Sequence, residues 1–236
     1  MEPMDLALFR DTSPDPHRPN PAGSGRGRRP GHEPMINAPW PPLLLAGILV
    51  AIYALQTAVP ALTERYALIP PEVAAGRWET LITAVFLHFN WPHALLNSAM
   101  ILAFGAPLSR FFGERPLGAL AFLGFFVAVG AIANLAFIWL HHGQYTGAVG
   151  ASGAAAGLMA AAARLMAGRG RIGPIFSRIV LGMGAAWIAI NLLVALVGSW
   201  FVPGTDGASI GWEIHIAGFL VGVFLISPFA WVARRG

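Results

Sequence analysis

The chain has 236 residues, of which 56% are hydrophobic and only 11% charged. Soluble domains carry about 25% charged residues, so this composition excludes an ordinary soluble globular protein. The net charge of +4 comes from arginine alone, and with no cysteine there is neither a disulfide framework nor a thiolate metal site. The arginines cluster in the N-terminal stretch and between apolar runs, which is a pattern of topology determinants and not of a nucleic-acid surface.

Residues 1–38 are rich in Pro, Gly, Arg and Asp and poor in apolar side chains, and are expected to form a disordered cytoplasmic tail. The apolar run behind them begins too late and runs too long for a cleaved signal peptide. Glu2, Asp5, Asp11, Asp15 and Glu33 speak against an organellar presequence, so the first span is expected to double as the targeting signal. A spanning helix needs about 20 apolar residues. Six runs qualify: 41–62, 93–112, 117–140, 150–167, 179–198 and 211–232. The fourth is short and made largely of Ala and Gly, which suits a helix enclosed by others, because small residues let backbones approach. The reading is an all-α polytopic membrane protein with its membrane domain at 39–236.

Arg18, Arg26, Arg28 and Arg29 precede the first run. Arg110 and Arg115 are assigned to the second loop, Arg164, Arg169, Arg171 and Arg178 to the fourth, and Arg234 and Arg235 end the chain. With six spans all of these fall on one side, while the other has Arg65 and Arg77 in the long first loop and none in the third or fifth, which places both termini in the cytoplasm. The second, fourth and sixth helices then start on the outer side. His93 and Asn97 lie near the start of the second, Ser152 at the start of the fourth and His215 near the start of the sixth, so three segments bring polar groups to one depth.

Such groups at membrane depth are functional candidates by default. Small residues supply their proximity. Gly218 and Gly222 share a face with His215, and Gly153 with Gly157, or Ala156 with Ala160, offers a matching face on the fourth helix. Packing those faces together carries His215 toward Ser152. Serine and histidine are the minimal kit for nucleophilic catalysis, with the imidazole as general base and later general acid. Glu213 points to a different face, so the expectation is a dyad. His93 and Asn97, four residues apart, with the Ser152 amide at a helix N-terminus, are candidates for an oxyanion hole.

Blander readings stand beside these. Ser152 alone reads equally as a helix N-cap, and His215 alone equally as a buried histidine bonded to backbone; interhelical glue is the lesser reading of His93 and Asn97. His88 reads equally as loop packing or as a direct participant. A zinc site from His88, His93 and His215 lacks a carboxylate at ligand spacing, so no metal and no cofactor are expected. His141 and His142 read as solvated loop residues.

The combination His88-x4-His93-x3-Asn97, Gly150-x-Ser152-Gly153 and His215-x2-Gly218-x3-Gly222, each opening an even-numbered helix, resembles the rhomboid intramembrane serine proteases. The resemblance implies a six-transmembrane-helix rhomboid-like bundle with a water-filled cavity opening outward. It implies Ser152 as nucleophile, His215 as base, and an oxyanion hole of His93, Asn97 and the Ser152 amide, with His88, Gly150, Gly153, Gly218 and Gly222 in support. Its partners would be transmembrane protein substrates and membrane lipid. The arginine pattern and the missing ligand spacing give no nucleic-acid or metal partner, and the short tail without organellar features gives a bacterial inner membrane as the expected home. The chain departs from the family in three places. Arg77-Trp78-Glu79 stands where many members carry Trp-Arg, Ile214 replaces a frequent alanine, and Ala156 replaces an aromatic that stacks on the histidine. The imidazole is then held by another group, or held loosely.

The first loop, 63–92, is partly apolar and is expected to lie in the interface or fold against the bundle. The fifth, 199–210, carries Trp200, Phe201, Pro203 and Gly204 and reads as a mobile cap whose opening, with the neighbouring helix, admits substrate from the side. Substrates weakened near the outer end of their helix by Gly, Pro or polar residues are expected, since a helical peptide bond is shielded. Two rivals come from other classes. One is a catalytically inactive rhomboid-like protein that binds membrane-protein clients, which loss of Ser or His would signal. The other is a transporter or channel, which would place carboxylates inside the spans and show an inverted repeat.

Overall fold

The computed structural model describes residues 38–197 and 211–233. The expected tail and the expected cap at 199–210 lie outside these residues. Among the described residues the chain is helical. α1 (Trp40–Ala58) is followed by a folded first loop with three short helices, α2 (Ala61–Tyr66), α3 (Pro70–Ala74) and α4 (Thr80–Thr83), and a 3₁₀ turn (Ala84–Phe86). Then come α5 (Trp91–Phe112), α6 (Pro116–Leu140), α7 (Ser152–Ala167), α8 (Arg178–Val197) and α9 (Trp212–Ala233).

Five of these helices, α1, α5, α6, α8 and α9, are long and apolar enough to cross a membrane. Leucines such as Leu44, Leu55, Leu120, Leu181, Leu193 and Leu196 stand exposed on them. An exterior this apolar is stable only in lipid, so the protein is an integral, multi-pass membrane protein. α7 is different. At 16 residues it spans about 24 Å, short of a bilayer core. It is buried from Gly153 to Leu165, because α5, α6, α8 and α9 surround it. The Ala- and Gly-rich composition makes this enclosure possible.

The core lies where α6 meets α7. Phe122, Phe125, Phe126 and Val129 form one helical face of α6 and pack with Leu158 and Ala161 of α7 and Ile226 of α9. α7 and α9 pack backbone to backbone. A Cβ on Gly218 would lie 2.7 Å from the carbonyl carbon of Gly153, and one on Gly222 would lie 2.5 Å from the Cα of Gly157. No real Cβ tolerates either approach, so glycine is required at both positions on α9.

The first loop folds against the bundle. Leu68 and Val73 are buried with Ala133 and Phe137 of α6, and the Asn134 side chain donates to the Leu81 carbonyl at 2.9 Å. Within the loop Arg77 pairs with Glu72. One assignment from sequence is corrected. Arg164 is not a loop residue but lies inside α7, 7% exposed, donating to the carbonyls of Gly173 at 2.8 Å and Val223 at 2.7 Å. The two carbonyls accept from Nε and Nη1, which gives the buried guanidinium polar partners inside the bundle.

Candidate active site

The first loop sets the start of α7. Leu68 and Ala148 exchange two backbone hydrogen bonds, 3.0 and 2.9 Å, and Gly150 N–H donates to the Ala84 carbonyl at 3.0 Å. Gly150 has φ +134°, a conformation L side chains rarely adopt. A Cβ there would also lie 2.8 Å from Cε1 of His93, so Gly150 leaves room for the His93 ring beside Ser152.

Ser152 opens α7, but its hydroxyl does not cap it: the N-cap residue is Ala151, and no side-chain cap bond is present. The hydroxyl faces α9, where Ser152 Oγ lies 2.7 Å from His215 Nε2. The glycine contacts above bring α9 this close. Ser152 N–H lies in the first turn of a helix, where backbone donors have no intrahelical acceptor.

His93 lies in the first turns of α5, fixed by Asn90, whose side chain accepts from His93 N–H at 3.0 Å. Asn97, one turn on and buried, donates from Nδ2 to the His93 carbonyl at 3.1 Å. That bond uses one of its two amide protons. The structure thus gathers Ser152, His215 and His93 at one end of the bundle, with Asn97 beneath His93. Gly153, Gly218 and Gly222 serve the packing that brings Ser152 and His215 together.

His88 precedes α5 and is 1% exposed. Its backbone is held by Gln56, which accepts from His88 N–H at 2.9 Å and donates to the His88 carbonyl at 3.1 Å. Its ring stands edge-on to that of His93, centroids 5.2 Å apart, and neither ring nitrogen has a hydrogen-bond partner among the described residues. His88 therefore packs behind His93 and does not reach Ser152 or His215 by a hydrogen bond. Burial foremost, and then the neighbouring His93, push its pKa from 6.5 down to about 3. An interaction with the Phe86 backbone opposes both without reaching hydrogen-bond geometry.

Two groups escape a reading of motifs. Asn191 of α8 places Oδ1 2.7 Å from His215 Nδ1, and Trp187, one turn earlier, donates from Nε1 to the His215 carbonyl at 3.2 Å. The Trp187 ring lies 5.7 Å from the imidazole, tilted by 42°. The imidazole is therefore held from α8, and Ala156 on α7 leaves no gap in its support. His141 lies in the third loop and is partly exposed, as expected, but its ring also has partners: Nε2 lies 3.2 Å from Glu213 Oε1 and Nδ1 3.1 Å from Gln144 Oε1. That contact turns the Glu213 carboxylate toward His141.

Residues 75–231 match the profile of the Rhomboid domain. The chain belongs to the rhomboid family. It is also 32% identical over 155 residues to a Bacillus subtilis (strain 168) protein named "Putative rhomboid protease YdcA", an alignment covering 66% of this chain and 68% of that one. The matched rhomboid segment runs from the first loop to the end of α9 and includes Ser152, His215, His93, Asn97 and Asn191.

Proposed function

We propose that this rhomboid is an intramembrane serine endopeptidase that cuts membrane-protein substrates in or beside a transmembrane segment. The single observation that carries the reading is the 2.7 Å approach of Ser152 Oγ to His215 Nε2 at the enclosed end of α7. In the proposed mechanism His215 takes the Ser152 proton as Oγ attacks the scissile carbonyl carbon. The tetrahedral oxyanion is held by the Ser152 amide, His93 and Asn97. As the C–N bond breaks, His215 returns the proton to the leaving amine and an acyl-enzyme ester remains. Water, deprotonated by His215, then hydrolyses the ester and restores Ser152.

The substrate class follows from the site's place. Its walls are apolar helices whose outer faces meet lipid, so a polypeptide reaching it from the bilayer arrives as a helix. Such a helix must expose a peptide bond before it reacts, which favours segments weakened by Gly, Pro or polar residues. The arginine distribution supports cytoplasmic termini with the site toward the outer side of the membrane.

The test is cleavage of a transmembrane substrate by the purified protein in detergent, with Ser152→Ala and His215→Ala prepared in parallel. Cleavage by the wild type and its loss in both variants is the expected outcome. Cleavage that survives Ser152→Ala overturns the assignment.

A further inference from the structure

We propose that Asn191 is the positioning residue of the general base, selecting the tautomer of His215, and that the base is competent only while α8 is docked. The inference rests on the serine-protease reading and names a control on that site. Asn191 is 5% exposed. Its amide has a donor end and an acceptor end, and the structure engages both. Nδ2 donates to the Trp187 carbonyl at 2.8 Å, and Oδ1 lies 2.7 Å from His215 Nδ1. Because the carbonyl of Trp187 accepts only from the nitrogen end, the amide cannot turn over without losing that bond.

An oxygen facing Nδ1 demands a proton there. In a neutral imidazole the lone pair then sits on Nε2, which is the atom that faces Ser152 Oγ. The opposite tautomer would set the Asn191 oxygen against a bare lone pair and leave no base toward the serine. Among the described residues no carboxylate bonds to His215, and the nearby Glu213 is turned to His141. A neutral amide also orients the ring without burying a carboxylate at membrane depth, which is costly.

The helix that supplies Asn191 is the least enclosed of the long helices. Its buried residues, Val180, Gly184 and Asn191, lie along one stripe. Gly184 leaves room for the Phe219 ring, which would stand 3.0 Å from a Cβ there. Near His215, α8 makes two polar bonds to α9, and both end on that residue: Asn191 to its ring and Trp187 to its carbonyl. Moving α8 away breaks both, frees the imidazole to rotate and to change tautomer, and disarms the base. Re-docking restores it.

The experiment is ¹⁵N NMR of histidine-labelled protein in detergent, alongside cleavage kinetics and thermal midpoints, for wild type, Asn191→Leu and Asn191→Asp. The wild-type His215 is expected as the Nδ1–H tautomer. Asn191→Leu, similar in size and without an acceptor, is expected to lose that preference and to lower kcat/KM about 10- to 100-fold, with its thermal midpoint near the wild type. Asn191→Asp keeps an acceptor oxygen and is expected to keep the tautomer and to recover most of the rate lost in Asn191→Leu. An Nε2–H tautomer in the wild type overturns the proposal, and so does a folded Asn191→Leu with unchanged tautomer and rate. If Asn191→Leu does not fold, the wild-type tautomer and Asn191→Asp still decide. Failure of the protease reading is distinct: the wild type would not cleave, whatever its tautomer.

Discussion

Gly218 of α9 lies against the backbone of Gly153 of α7, so close that a Cβ on Gly218 would stand 2.7 Å from the Gly153 carbonyl carbon. His215 precedes Gly218 by one turn and Ser152 precedes Gly153 by one residue, so this contact sets the distance between base and nucleophile. Gly218→Val is expected to force the helices apart, to destabilise by about 1–3 kcal/mol and to abolish cleavage. Gly182 of α8 is the control, because a Cβ there meets nothing within 4 Å. Gly182→Ala is expected to leave cleavage intact and to raise stability by about 0.5–1 kcal/mol. Thermal midpoints and cleavage rates of the two variants check both statements.

Gly150 offers a second test of positioning. Its φ of +134° and the His93 ring beside it both exclude a side chain. Gly150→Ala is expected to destabilise by about 1–3 kcal/mol and to displace His93. The loss of kcat is expected to exceed what the fraction unfolded explains, which activity per folded molecule measures.

In the proposed mechanism Asn97 and His93 act on the oxyanion. Asn97→Ala and His93→Ala are expected to lower kcat about 10²-fold or more with little change in KM. Steady-state kinetics on one substrate separate the two constants. A rise in KM at constant kcat would move these residues from the transition state to ground-state binding.

His88 gives the stability a pH dependence. Unfolded, it takes up a proton near pH 6.5; folded, not until about pH 3. Between these values the unfolded state holds more protons, so stability is full above about pH 6.5 and is lost as pH falls toward 3. His88→Phe, which keeps a buried ring and removes the titration, is expected to flatten the fall of the thermal midpoint between about pH 7 and pH 4. An unchanged slope in that variant would show that another group carries it.

The sequence reveals the spans by their length, and the placing of Ser152, His93 and His215 by where those spans begin. The small-residue faces of α7 and α9 are legible too, because spacing at three and four residues puts Gly218 and Gly222 beside His215. Asn191 lies in the middle of an apolar run with no motif around it. The rule that singles out polar groups at membrane depth applies to it as much as to Ser152, but nothing local says which partner it meets. The same holds for His141 and Glu213, which are 72 residues apart. Arg164 misleads for another reason. Positive charge argues for a loop, and only the tertiary fold supplies the Gly173 and Val223 carbonyls that let it stay inside α7. The short helices of the first loop are too brief for a periodic signal, and α3 and α4 are held by burying Val73 and Leu81 with Ala133 and Phe137 of α6.

The most direct test of the central claim is labelling of the folded protein with a serine-reactive fluorophosphonate, mapped by mass spectrometry. The expected result is one adduct, on Ser152, absent in Ser152→Ala and strongly reduced in His215→Ala at unchanged thermal midpoint. A folded wild type that stays unlabelled, or an adduct that persists undiminished in His215→Ala, would contradict it.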